Sequence, residues 1–320
     1  CGSTGWVFAV TSKYHIFLGM FPAEAQEEVW GENPDAVAAA SFTPTGVATP
    51  VVGGYRLSGE WMYCSGVDNC QWIIVGVTLP EAGEGLDGKG FALVRVAETD
   101  FADNWHVVGL AGTGSKNVRC DDVFVPQHRF LAMADTVSGA PPGSAVNAAP
   151  LYSIPLFSMV SISLCTAVTG MAQGAYDAFV GATRERVTRG AAVSKPVAMA
   201  EIPTIQLRVG EAAASIDAAR LLVRRDCADI MATIGAGRAL SVAQRARNKG
   251  DLGFAARLAV GAVDRLFEAG GGGALFSDGR VQRFWRDAHA GAMHISMSWD
   301  AVGALYGRVE LGLPPGPAQF

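Results

Sequence analysis

The sequence predicts an α+β protein in which an antiparallel β unit precedes a helical bundle. Three observations carry this: short alternating segments broken by glycine from about Ala38 to Leu131, a Gly/Pro/Ser/Ala/Asn stretch from Thr136 to Pro150, and long alanine-rich segments beyond it. The chain has 320 residues, which suggests two or three packed units, with two as the starting point. Half of it is hydrophobic and 17% is charged, with a net charge of −5, so it can bury a large interior and a subunit interface.

At the N-terminus, Trp6 to Phe21 reads as the inside of a folded element. Tyr55 to Trp61 after Gly53-Gly54, Trp72 to Leu79, Gly90 to Val96 and Asn117 to Pro126 follow as strands, with an exposed hairpin loop at Glu81 to Lys89. The stretch 136–150 is a linker between a β domain and a bundle over 151–320. Helices are expected at roughly Ser153–Arg189, Ile202–Gly235 and Leu240–Ala269, with another opening at Asp278. Ala212, Ala213, Ala214, Ala218 and Ala219 would let helices approach closely.

Several partners are disfavoured. A mildly acidic chain with no lysine or arginine run lacks the basic patch that nucleic acid or an anionic membrane requires. From Leu151 onward the chain is apolar for long enough to raise a transmembrane question. Ser153, Ser158, Ser161, Ser163, Thr166, Thr169 and Gln173 interrupt it, so a buried central helix of a soluble bundle is expected. The six cysteines, at 1, 64, 70, 120, 165 and 227, lack metal-ligand spacing and read as reduced thiols of a cytoplasmic protein. Because the chain opens at Cys1, targeting signals are not judged.

The run from Arg283 to His294 is the most informative stretch. On a continuous helix Arg283, Asp287 and His294 fall within an arc of roughly 40°, while His289 points about 140° away from His294. Histidine exchanges protons near neutral pH, and an arginine and an aspartate on its stripe can orient it or bind an anion. A charged surface stripe, or bundle salt bridges made by Arg283, Arg286 and Asp287, explains the same residues equally well.

Cys1-Gly2-Ser3-Thr4-Gly5-Trp6, Ala25 to Gly31, Gly53-Gly54-Tyr55 with Gly59 and Trp61, Ser65-Gly66, Gly109 to Ser115, Asp122 to Pro126 and Arg283 to His294 occur in this order. Together with Leu311-Gly312-Leu313-Pro314-Pro315-Gly316 they resemble the two-component flavin-dependent monooxygenases built on the acyl-CoA dehydrogenase fold, over essentially the whole chain. Within that family the resemblance is strongest to oxygenase components that hydroxylate a phenolic secosteroid. It implies an N-terminal helical domain, of which 1–31 is a remnant, a middle antiparallel β-barrel domain over 32–135 and a C-terminal four-helix bundle. A homotetramer is usual in the family.

The resemblance also implies a reaction. Reduced FMN or reduced FAD, supplied by a separate NAD(P)H-dependent reductase, would form a C4a-hydroperoxide with O2 and hydroxylate a phenol beside its hydroxyl. An apolar site, a hydrogen bond to the flavin edge and a deprotonated phenol are then required. Ser65 matches the family serine near flavin N5; on its own it is a turn serine before glycine. His294 matches the catalytic histidine, a base of ordinary pKa about 6.5, with Asp287 beside it. Trp6, Ala40, Ser41, Phe42, Tyr63, Cys64, Arg186, Gly272, Gly273 and Ile295 occupy flavin-site positions. Arg186 suits a phosphate, or caps a helix end, and Gly270 to Gly273 is by itself a helix terminator.

The chain departs from the family at two places. Ala111 stands where relatives tend to have arginine, and Tyr14 and His15 stand in the helix where relatives often carry a histidine. His106 and His128 read as ordinary surface or satisfied histidines. An acyl-CoA dehydrogenase would need a glutamate base in place of His294, and a catalytically silent helical scaffold would bind no flavin.

Overall fold

The computed structural model describes residues 1–80, 85–188 and 196–316. The loop expected at Glu81 to Lys89 and the helix end expected at Arg189 lie partly outside them. Helices α1 (Gly2–Leu18) and α2 (Ala23–Trp30) open the chain. Trp6, Val10, Tyr14 and Phe17 recur at helical spacing and bury one face of α1 in the main core. From α2, Glu28 accepts hydrogen bonds from Arg129 Nε at 2.6 Å and His128 at 3.1 Å, and pairs with Arg95 at 3.2 Å. Arg129 is 7% exposed and holds the Glu28 carboxyl down to about 2, so this contact ties the helical start to the β domain.

Seven strands follow: β1 (Ala38–Val51), β2 (Gly54–Cys64), β3 (Trp72–Thr78), β4 (Lys89–Arg95), β5 (Asp100–Ala102), β6 (Lys116–Pro126) and β7 (Phe130–Ala132). They form one sheet in the order β5-β6-β2-β1-β3-β4-β7. Of the six pairings, five are antiparallel as the hairpin spacing predicts, while β1 and β3 run parallel. The chain leaves β2 through the turn at 65–71 and returns along the other edge of β1, a crossover that hairpin signals do not encode. Alternate residues then face two cores. Leu57, Trp61, Ile73 and Val75 pack on one side, and Ala38, Ala40, Ile74 and Leu93 join the helices on the other.

The segment expected as a linker is a chain of short 3-10 turns tied to the corner between α1 and α2. Gly143 N donates to Met20 O and Asn147 Nδ2 to Gly19 O. The bundle comprises α3 (Leu156–Glu185), α4 (Pro203–Gly235), α5 (Val242–Ala269), α6 (Arg280–Ala292) and α7 (Trp299–Glu310). Proline opens α4, where its missing N–H costs nothing, and a Ser241/Gln244 capping box opens α5. Ala212 and Ala219 of α4 and Ala255, Ala259 and Ala262 of α5 are fully buried where the helices meet. α3 is long and apolar enough to cross a membrane by length and composition, yet most of its apolar window is buried inside the bundle.

Candidate active site

Ser65 sits just past β2, behind Tyr63, whose φ of 64° is unusual for a non-glycine residue. A second such residue, Leu110 at φ 57°, opens the loop carrying Thr113 and Ser115. Both loops are drawn onto α1: Gly66 N donates to Thr113 O at 2.8 Å, and Trp6 Nε1 reaches Ser65 Oγ at 3.4 Å. The side chains of Ser65, Thr113 and Ser115 are all buried.

These three hydroxyls form a chain whose direction can be counted. Ser65 Oγ lies 2.6 Å from Ser115 Oγ, Ser115 Oγ 2.7 Å from Thr113 Oγ1, and Thr113 Oγ1 2.8 Å from Leu110 O. A carbonyl only accepts and each hydroxyl has one proton, so Thr113 donates to Leu110, Ser115 to Thr113 and Ser65 to Ser115. Ser65 is thereby left as an acceptor toward anything on its free side. Trp6 N–H takes one lone pair and the other remains available.

Leu110 is fixed from the far side as well, since its N–H donates to Asp287 Oδ1 at 2.7 Å. Asp287, on α6 and 5% exposed, thus anchors the backbone of the hydroxyl loop, and its hydrogen bond goes there rather than to the imidazole of His294. Close approach requires glycine on both sides. A Cβ on Gly2 would stand 2.5 Å from Asp287 Oδ2, and one on Gly109 would stand 2.2 Å from Arg286 O. Arg286 Nη1 donates to Val108 O, holding the same loop, while Arg283 is exposed.

His294 is not on the helical stripe. α6 ends at Ala292, and His294 adopts an extended backbone (φ −61°, ψ 134°) as N-cap of a 3-10 turn, Ile295–Met297. The break redirects its ring to 6.4 Å from that of Trp6. Its Nδ1 accepts the Ser296 backbone N–H at 3.1 Å, so the neutral ring carries its proton on Nε2. Burial, then the positive charges of Lys13 and Lys249, push its pKa down to about 4, below the ordinary value expected from sequence. At pH 7 it is a neutral donor. His289 faces the other way, with Nε2 3.2 Å from Asp264 and Nδ1 on Trp285 O; the Asp264 hydrogen bond raises its pKa.

Ala40 is buried, Ser41 Oγ donates to Met62 O at 2.9 Å, and Phe42 meets Tyr14, Phe17, Phe91 and Phe157 edge-on. Tyr63 is exposed against Trp105, and Ile295 is exposed beside His294. Cys64 points inward, its thiol pushed up to about 12 by burial, so only its backbone is available to a ligand. Arg186 and the 270–273 turn come together elsewhere: Arg186 Nη1 donates to Gly270 O at 2.9 Å and lies against Gly273. Trp6 and Val168 both pack at Gly291, and α3 continues 17 residues from Val168 to Glu185. At 1.5 Å per residue the Arg186 cluster is about 25 Å away from Trp6, so one chain does not gather all the expected flavin positions in one place.

His15 stacks on Trp30, away from the site, with its Nδ1 on Thr11 O. Besides Trp6, the residues on the buried face of α1 include Lys13 and Tyr14. Lys13 was not singled out from sequence, although its place one turn past Trp6 and Val10 on the buried face was a readable signal. Ala111 is exposed. Two surface clefts, of about 640 and 340 Å3, are lined by residues around His128 and around Asp264, not by Ser65 or His294.

Residues 162–299 match the family model described as acyl-CoA dehydrogenase, C-terminal domain. The chain is 45% identical to the "FADH(2)-dependent resorcinol hydroxylase, oxygenase component" of Rhizobium sp. (strain MTP-10005), covering 98% of this chain and 78% of that protein. The chain belongs to the oxygenase components of the flavin-dependent monooxygenases. It is also 40% identical to the flavin-dependent monooxygenase oxygenase subunit HsaA of Mycobacterium tuberculosis (strain ATCC 25618 / H37Rv), over 99% of this chain and 79% of the relative. Among solved structures, the HsaA monooxygenase from M. tuberculosis superposes with a TM-score of 0.89 at 38% identity, covering 99% of this chain and 80% of that one. XiaF from Streptomyces sp., solved with FADH2 and glycerol, superposes at 0.88 and 30% identity, covering 100% and 80%. The family fold and the class of reaction, a flavin-dependent monooxygenation, are those expected from the sequence motifs.

Proposed function

We propose that this chain is the oxygenase component of a two-component aromatic hydroxylase, taking reduced FMN or FAD from a separate NAD(P)H-dependent reductase and placing one atom of O2 beside the hydroxyl of a phenol. The observation that carries the reading is Ser65, held as an acceptor at the N–H of Trp6, whose ring also lies 6.4 Å from that of a neutral His294. Reduced flavin has a hydrogen on N5 and oxidised flavin does not, so an acceptor-only hydroxyl fits the reduced form. Bound reduced flavin supplies the activation of O2.

The chain's own residues perform the rest. Trp6 and the aromatic wall at Phe42 offer an apolar boundary that keeps water from the reacting edge. His294 directs its Nε2–H at the phenolic oxygen and stabilises it as the anion, which makes the ring carbon beside it nucleophilic. This is hydrogen-bond donation, not the base role assigned from sequence, because Nδ1 is already engaged by Ser296. Asp287 acts on Ser65 through the Leu110–Ser115 loop.

Arg186, Gly272 and Gly273 fit a flavin phosphate end reached from a neighbouring copy, which supports a homotetramer with shared sites in the cytoplasm; sedimentation equilibrium measures the assembly. Resorcinol is the first substrate to test, against a phenolic secosteroid, hydroxyphenylacetate and a naphthol. Turnover with enzymatically reduced flavin should add one ring hydroxyl to at least one of them, which from resorcinol gives a trihydroxybenzene. Flavin oxidation with no hydroxylated product from any of them would defeat the reading.

A further inference from the structure

Lys13 is 5% exposed, and among the described residues it has neither an ion-pair nor a hydrogen-bond partner. Its Nζ lies 4.6 Å from the centroid of Tyr14 and 5.4 Å from that of Phe42. Buried lysines are almost always paired, since an unpaired ammonium in an apolar setting is costly. Aromatic faces recover part of that cost. This one stands on the α1 face that also presents Trp6, close enough to His294 to depress its basicity. The other groups acting there are also cationic or neutral: Lys249, half-buried on α5 without a partner among the described residues, and the Tyr14 hydroxyl, which reaches Ala40 O at 3.5 Å and is held un-ionised by burial. Asp287, the carboxylate on α6 at the site, is engaged through Oδ1 by the Leu110 N–H.

We infer that Lys13 is the counter-ion and proton acceptor for the substrate, so that the pocket takes its phenol as the phenolate. The inference rests on the phenol-hydroxylase reading above. Burial lowers the Lys13 pKa to about 7, so near neutral pH much of the free protein holds a neutral amine there. On binding, the phenol O–H bond breaks and its electron pair stays on oxygen. The proton forms an N–H bond on Nζ, and an ammonium faces a phenolate with no change in the net charge of the pocket. His294 Nε2–H gives the same oxygen a second donor.

The test uses 4-nitrophenol, whose phenolate alone absorbs in the visible, bound to the full chain anaerobically in the presence of reduced FMN. In the wild type the bound probe should ionise at a lower pH than the free probe. Lys13→Met removes the charge while keeping the chain length; it should return ionisation to the free value or above and weaken phenolate binding about ten- to hundredfold. Lys13→Arg, still cationic, should retain the bound phenolate. A wild type that binds the probe as neutral phenol, or a folded Lys13→Met that ionises it as the wild type does, overturns the assignment of Lys13 alone. No binding of the probe by the wild type overturns the phenol reading as well. A structural role for Lys13 would shift stability without moving the ionisation of the probe.

Discussion

Replacing Ser115 with alanine should erode the preference for reduced over oxidised flavin. The substitution removes two buried contacts, at 2.6 Å to Ser65 and 2.7 Å to Thr113. Neutral hydrogen bonds contribute about 1 kcal/mol each, so the fold should lose about 2 kcal/mol. At about 2.1 cal/mol/K per residue, 320 residues unfold with about 0.7 kcal/mol/K, and the melting temperature should fall by about 3 °C. The larger effect is on direction. Without its acceptor, the Ser65 proton is free to turn toward a ligand and can donate to the unprotonated N5 of oxidised flavin. A differential of about 1–2 kcal/mol changes the ratio of the two dissociation constants by about 5- to 30-fold. Anaerobic fluorescence titrations with reduced flavin and aerobic titrations with oxidised flavin give that ratio. A folded Ser115→Ala protein with an unchanged ratio would refute the proton count, and with it the role given to Ser65.

Three further outcomes are expected. Asp287→Ala should destabilise the fold by about 1–3 kcal/mol, because the Leu110 N–H is left buried and unpaired; Asp287→Asn, which keeps an acceptor, should lose less in a denaturant titration. Between about pH 4 and 6.5 the unfolded chain holds a proton on His294 that the fold refuses, so stability should rise with pH across that window, and His294→Gln should flatten that part of the slope. Glu28→Gln should strip the buried Arg129 of its main partner and cost about 3–5 kcal/mol, read as a fall in melting temperature, with Glu98 at 3.6 Å limiting the loss.

Periodicity made most of the fold legible. The alanine-rich repeats placed α3, α4 and α5 within a few residues of their ends, because tight helix packing needs small residues at regular spacing. The parallel β1–β3 pair was not legible, since a crossover depends on where the chain returns and not on turn composition. α7, short and separated from α6 by only a 3-10 turn, gave no separate signal. At the candidate site, the motif order singled out Ser65 and His294, which both lie beside Trp6, but His294 does not share the α6 stripe because α6 stops two residues before it. Asp287 read as a partner for that histidine; its reach to Leu110, 177 positions earlier, is a tertiary contact invisible to local pattern. Lys13 was legible only through its helical spacing from Trp6 and Val10, since a lone lysine in a helix otherwise reads as a solvated cation.

The proposed reaction inserts one oxygen atom from O2 into a phenol at the expense of reduced flavin. Single-turnover reaction with isotopically heavy dioxygen, chemically reduced FMN and resorcinol, analysed by mass spectrometry, tests it most directly. The wild type should form a trihydroxybenzene carrying one heavy oxygen per molecule, and His294→Ala should not. Unlabelled product, or hydrogen peroxide in full yield with the resorcinol unchanged, would contradict it.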